Sequence, residues 1–107
     1  MNTALEAFYA LSQETRLKVF KALIEYGSEG TTPSKIAERL GVPDNTLSFH
    51  LSHLNNSGLV SYKREGRSLI YSANCELIES LIGFMKENCC ALGKSDCCPP
   101  KAKRRKK

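Results

Sequence analysis

Apolar residues recur along most of the chain at intervals of three and four, and in one stretch the interval shortens to two. Ala4, Leu5, Phe8, Tyr9 and Leu11 mark a short helix over residues 2–11. Ser12 offers an N-cap oxygen to a second helix over 12–27, whose apolar run is Leu17, Val19, Phe20, Ala22, Leu23 and Ile24, and Gly27 stops it. Gly30-Thr31-Thr32-Pro33 makes a turn and puts proline at the first position of a third helix, 33–40, with Ile36, Ala37 and Leu40 inward. Gly41-Val42-Pro43 is a tight turn. Asp44 or Asn45 then caps a fourth helix that runs to Asn56, with Leu47, Leu51 and Leu54 on its inner stripe, and Gly58 ends it. Residues 59–64 and 67–72 have the pattern of strands, and Glu65-Gly66 between them suits a two-residue hairpin turn. A last helix, 74–88, puts Leu77, Ile78, Leu81, Ile82 and Met85 on one face with Phe84 beside them. The expected architecture is mainly α with a small β-hairpin, a helix-turn-helix followed by a wing. It occupies one domain over 1–90, with a Cys-rich, Pro-broken and basic tail over 91–107.

Composition narrows the class. A chain of 107 residues suits a single domain, and 41% hydrophobic with 25% charged residues is ordinary for a globular fold. No apolar run approaches the ~20 residues of a membrane span. Met1-Asn2-Thr3-Ala4-Leu5-Glu6 lacks the basic region and apolar block of a secretory signal. The expected location is therefore the cytoplasm, where thiols stay reduced. The net charge of +5 is misleading, because six positives (Lys101, Lys103, Arg104, Arg105, Lys106, Lys107) crowd the last seven residues. Residues 1–100 carry ten positives against eleven negatives. Nucleic-acid binding must rest on local patches and a motif. The basic tail is either a solvated extension or a source of nonspecific phosphate attraction.

The motif is present. Two short helices, 33–40 and 44–56, joined by Gly41-Val42-Pro43 and followed by a hairpin, form a winged helix-turn-helix. The second helix fits the major groove of operator DNA, and its first turns meet base edges. Asn45, Thr46, Ser48, Phe49 and Ser52 are the candidates: Asn for adenine, hydroxyls for bases or phosphates, Phe49 for a thymine methyl. This helix carries no Lys or Arg. Phosphate anchoring falls to Lys35 and Arg39 on the preceding helix and to Lys63, Arg64 and Arg67 on the wing, with His53 as a weaker phosphate candidate. His50, at the edge of the inner stripe, is expected as a semi-buried, hydrogen-bonded imidazole rather than a metal ligand. Tyr62 and Tyr71 are expected to brace the wing. No phosphate-cradling loop, Cys-x-x-Cys turn or acid–base constellation points to an enzyme.

Ser12-Gln-Glu-Thr-Arg-Leu-Lys-Val-Phe-Lys-Ala-Leu23, Leu47-Ser-Phe-His-Leu-Ser-His-Leu54, Ser57-Gly-Leu-Val60, Arg64-Glu-Gly-Arg67 and Ile70-Tyr71 together resemble the ArsR/SmtB family, over residues 3 to about 90. These are homodimeric winged-helix repressors released from DNA by metal or metalloid ions. The resemblance implies that helices 2–11 and 74–88 pair across a two-fold axis and that two reading heads meet an inverted repeat. The apolar faces of 4–11 and 77–85 exceed what a core of this size covers, which independently favours a homodimer.

Five cysteines, all after residue 74, suggest thiolate chemistry rather than a disulfide scaffold. Cys75 is expected as a packing residue. Cys89, Cys90, Cys97 and Cys98 lie within ten residues of polar chain and are candidate ligands for a soft ion. The resemblance bears on where they act. Family members place sites elsewhere with a Cys-x-Cys on the first helix of the motif, with Asp and His on the last helix, or with a switch Cys in the second helix. Here residues 31–40 and 12–27 contain no Cys, and 74–88 no His. Phe84-Met-Lys-Glu-Asn-Cys-Cys90 resembles a branch of arsenic-responsive repressors that use such a Cys pair and one downstream Cys. That resemblance implies As(III) or Sb(III) as inducer, held by Cys89, Cys90 and either Cys97, the favoured one, or Cys98. Zinc or cadmium on four sulfurs, copper(I), or disulfide switching of the same cysteines stay open.

Overall fold

Proline at position 33 and glycines at 27, 41 and 58 divide the chain much as its periodicity predicts. A computed structural model describes residues 2–93: α1 (Asn2–Leu11), α2 (Glu14–Tyr26), a single 3-10 turn (Gly27–Glu29), α3 (Pro33–Leu40), α4 (Asp44–Asn56), β1 (Val60–Glu65), β2 (Ser68–Ala73) and α5 (Cys75–Lys86). The turn between α3 and α4 is set by Gly41. Its left-handed backbone (φ 69°) lets the N–H groups of Gly41 and Val42 both reach the Ala37 carbonyl, at 2.8 and 3.1 Å.

Several element ends differ from expectation. Ser12 does not cap α2. Its hydroxyl donates to the Tyr9 carbonyl at 2.6 Å and closes α1, while Gln13 Oε1 accepts the Arg16 N–H at 2.8 Å and takes the cap. Pro43, rather than Asp44 or Asn45, occupies the α4 cap position without a side-chain bond. Asp44 falls in the first turn, where a negative charge favours the helix dipole. Asn45 Oδ1 instead accepts the neighbouring Thr46 N–H at 2.8 Å. The hairpin turn is Gly66-Arg67, because Glu65 pairs with Ser68, and Gly66 (φ 64°) supplies the positive φ that the first turn position needs. α5 ends at Lys86, short of residue 88.

The core joins α1–α4 to the base of the hairpin. Val19, Leu23, Ile36, Leu47, Leu51, Leu54 and Leu59 are essentially inaccessible to solvent. α1 enters this core through Ala4, Ala7 and Ala10, whose small side chains let it lie close to α2 and α4. The larger residues that revealed α1 in the sequence, Leu5, Phe8 and Tyr9, point out. α5 is anchored by Leu81, with Leu77 and Ile78 partly buried, and leaves Ile82, Phe84 and Met85 exposed.

The wing is tied down twice. Asn74 N–H donates to the Leu59 carbonyl at 2.8 Å. Thr31 and Tyr71 form an antiparallel bridge, Thr31 N–H to Tyr71 O at 2.9 Å and the reverse at 2.8 Å, which adds the segment before α3 as a third edge to the hairpin.

Candidate nucleic-acid interface and thiol pair

α4 is amphipathic in the sense a reading helix requires. Leu47, His50, Leu51 and Leu54 face the core, and Asn45, Ser48, Phe49, Ser52 and Asn56 follow the spacing of the opposite, solvent-facing side. Phe49 is 66% exposed, its ring edge-on to His50 with centroids 5.7 Å apart. Asn56 extends the predicted set and was legible from the same periodicity. Thr46 is exposed on the flank nearer α1. His53 lies on that flank too: it is half-buried, its ring meets Tyr9 edge-on at 5.7 Å, and it lines a cleft of about 200 Å³ with Glu6, Tyr9, Asn56 and Ser57.

The cations around α4 separate into two groups. Lys35 on α3, and Arg64 and Arg67 on the wing, are exposed, and no ion pair holds them among the described residues. Arg39 is held by the Glu25 carboxylate and sits over the Tyr26 ring, 5.7 Å from its centroid. This guanidinium keeps the Glu25 carboxyl below the usual range, and the carboxylate raises the Arg39 guanidinium in turn. Arg39 is thus turned towards α2. Lys63 alternates with Arg64 and so faces the other side of the hairpin. There its Nζ lies 3.3 Å from Glu65, above a recess lined by Ser28, Glu29, Ser61, Ile70 and Ser72. Tyr62 and Tyr71 are direct register partners with ring centroids 5.2 Å apart, so they brace the hairpin as expected.

After α5 the chain coils through successive tight turns: Cys89 N–H to Lys86 O at 2.9 Å, Ala91 N–H to Asn88 O at 3.0 Å and Gly93 N–H to Cys90 O at 3.3 Å. Asn88 (φ 61°) and Cys90 (φ 66°) are left-handed, and the Cys89 and Cys90 Sγ atoms converge to 3.2 Å, both partly buried. Among the described residues no group of three or more His, Cys, Asp or Glu side chains is gathered to hold a metal ion. Cys97 and Cys98, the other predicted ligands, lie outside the described residues. Cys75 is exposed at the start of α5, not packed inside.

Comparison with known proteins decides the family. A helix-turn-helix domain profile matches residues 11–62. The chain is 32% identical over 101 residues to a probable mercury resistance operon repressor of Streptomyces lividans, covering 91% of this chain and 76% of that one. It is 29% identical over 96 residues to the arsenical resistance operon repressor of Bacillus subtilis, covering 87% and 88%. An ArsR-like transcriptional regulator from Rhodococcus superposes with a TM-score of 0.72 at 28% identity, over 80% of this chain and 78% of that one. The chain belongs to the ArsR/SmtB family of winged-helix transcriptional regulators.

For a member of this family, two polar residues of the core bear directly on the reading helix. Arg16, 8% exposed, donates Nε–H to the Ala10 carbonyl at 2.7 Å and so meets an orphan acceptor at the end of α1. Its place was legible, since Arg16, Val19, Phe20 and Leu23 share one helical stripe. His50 is 7% exposed, and its Nδ1 is buried without a partner among the described residues, contrary to the expected hydrogen-bonded imidazole. Burial first, then the charges of Arg16 and His53, push its pKa below the ordinary value. Lowering the pKa keeps the ring neutral at pH 7, and a neutral imidazole tolerates an unmet nitrogen lone pair better than an unmet N–H. No helix of the described residues is long and apolar enough to cross a membrane.

Proposed function

We propose that this regulator is a cytoplasmic homodimeric repressor that releases an inverted-repeat operator when a trivalent metalloid, As(III) or Sb(III), is captured by thiolates at the end of α5. The observation that carries this reading is the convergence of Cys89 and Cys90 Sγ to 3.2 Å where α5 ends. Adjacent soft donors at that separation fit two sites of a three-thiolate pyramid, and Cys97 or Cys98 supplies the third. Thiolates so engaged tie the tail to α5, whose exposed Ile82 and Met85, with Leu5 and Phe8 of α1, form the dimer seam.

Asn45, Thr46, Ser48, Phe49 and Ser52 read base edges, and Lys35, Arg64 and Arg67 hold phosphates on either side. His53 and Lys63, which lie to the sides, contribute less. Release requires the ion to favour the off-DNA dimer, typically by ~1–3 kcal/mol or more.

The experiment is operator binding by fluorescence anisotropy with and without arsenite, for the wild type and for Cys89→Ser/Cys90→Ser. Arsenite releases the wild type and not the double variant. Release of both variants alike refutes the site. Parallel titrations with antimonite, cadmium, zinc, copper(I) and peroxide separate the metalloid from other soft ions and from thiol oxidation.

A further inference from the structure

We infer that Phe49 is the specificity-determining residue of the reading helix and that it recognises the 5-methyl group of thymine in each half-site. The inference deepens the operator-binding part of the proposed function and is independent of the inducer.

Large exposed hydrophobic side chains of the described residues fall into two sets. Most lie on α1, α2 and α5 or just beyond, where a second subunit covers them, and Tyr62 is stacked within the wing. Phe49 belongs to neither: it is the one such residue on α4, and it stands at the centre of a face otherwise built of Asn and Ser. An apolar ring there gains nothing from water and is complementary to one feature of the major groove, the thymine methyl.

The rest of the face leaves the discrimination to it. No Lys or Arg is present to take guanine O6 and N7. Asn45 has its Oδ1 committed to the Thr46 N–H, so it offers donors alone rather than the donor–acceptor pair that reads adenine. Ser48 and Ser52 hydroxyls donate or accept and discriminate weakly. The Phe49 ring is also held in place, edge-on to a buried His50, so little conformational freedom is lost when it meets DNA.

The test uses the full-length reduced protein with no metalloid in any arm, so a failure of the inducer assignment does not affect it. A duplex is selected from a random library by the wild-type protein. Each thymine of its half-site is then replaced singly by deoxyuridine, which removes only the methyl, and dissociation constants are compared at one salt concentration. One or two positions weaken by about four-fold, the ratio carried by burial of one methyl-sized group. Cytosine at those positions binds poorly, and 5-methylcytosine recovers part of the loss.

Phe49→Ala binds the thymine duplex more weakly and no longer distinguishes it from the deoxyuridine duplex, while Phe49→Leu keeps part of the discrimination. Circular dichroism of both variants matches the wild type, because the ring is exposed. Uniform affinity across all deoxyuridine duplexes, discrimination that survives in Phe49→Ala, or a selection that yields no preferred sequence each overturns the inference.

Discussion

Arg16 reaches from the first turn of α2 to the carbonyl of Ala10, 2.7 Å away, and stitches the helix that carries the exposed apolar face to the helix behind the DNA-reading unit. The carbonyl is one of those a helix end leaves without an internal partner, and the guanidinium also suits the negative end of the α1 dipole. Arg16→Ala removes a charge-assisted bond and strands a buried acceptor, so a loss of about 2 kcal/mol is expected from urea unfolding. Arg16→Lys recovers only part, because an ammonium cannot reproduce the fork geometry.

His50 gives the fold a pH dependence of defined sign. Its pKa in the folded protein is held below the ordinary 6.5 by burial, then by Arg16 and His53. The unfolded chain therefore binds the proton first as pH falls. The stability involved is complete above about pH 6.5 and is lost as pH falls from there towards the folded-state pKa. Urea midpoints measured at pH 7.5 and 5.5 should drop on acidification, and His50→Gln should flatten that difference.

Gly30 is required by Tyr71. A Cβ at Gly30 (φ 73°) would stand 2.3 Å from the Tyr71 carbonyl oxygen, inside the bridge that fixes the wing to the segment before α3. Gly30→Ala combines a disfavoured φ with a backbone clash. It should cost about 2 kcal/mol or more and detach the wing. Thermal unfolding and the chemical-shift change of the Tyr71 amide would report both effects.

The cations should divide in DNA binding as they divide in the structure. Lys35→Ala, Arg64→Ala and Arg67→Ala each remove a phosphate contact, weakening binding to every sequence and lowering the salt slope by about one per contact. Arg39→Ala should leave the slope nearly unchanged, since its charge is already engaged by Glu25 and stacked on Tyr26. A salt titration of operator affinity across these four variants checks the contrast, and an equal slope change in Arg39→Ala contradicts it.

What was legible in the sequence was local. Pro33, Gly41 and the Leu47–Leu51–Leu54 stripe each act over a few residues, and they place α3, the turn and α4 with little error. Strand register was missed by one residue, because Glu65 and Gly66 both suit a turn and only the cross-strand pairing of Glu65 with Ser68 chooses between them. The Thr31–Tyr71 bridge joins residues forty positions apart through backbone groups, which leave no side-chain signature. In α1 the apolar count was right and the buried face was not: helical spacing alone does not tell that Ala4, Ala7 and Ala10 are the residues that fit closely against α2. Among the DNA candidates, Arg39 and Lys63 looked equivalent to Arg67 until Glu25 and Glu65 were seen beside them. Of the predicted thiolates, the described residues contain the Cys89–Cys90 pair.

The outward face of α1 makes the assembly testable. Leu5 is 58% exposed and Met85 on α5 65%, while the alanines behind α1 already satisfy the core. Charge at either position therefore leaves the folded subunit intact and burdens only a subunit contact. Leu5→Glu and Met85→Glu should sediment as monomers where the wild type sediments as a dimer, with unchanged helical circular dichroism. With two reading heads no longer linked, operator affinity should fall by about 10²-fold or more. If both variants instead remain dimeric and bind the operator normally, these helices do not form the seam, and the link from Cys89 and Cys90 to the reading heads must run through another surface.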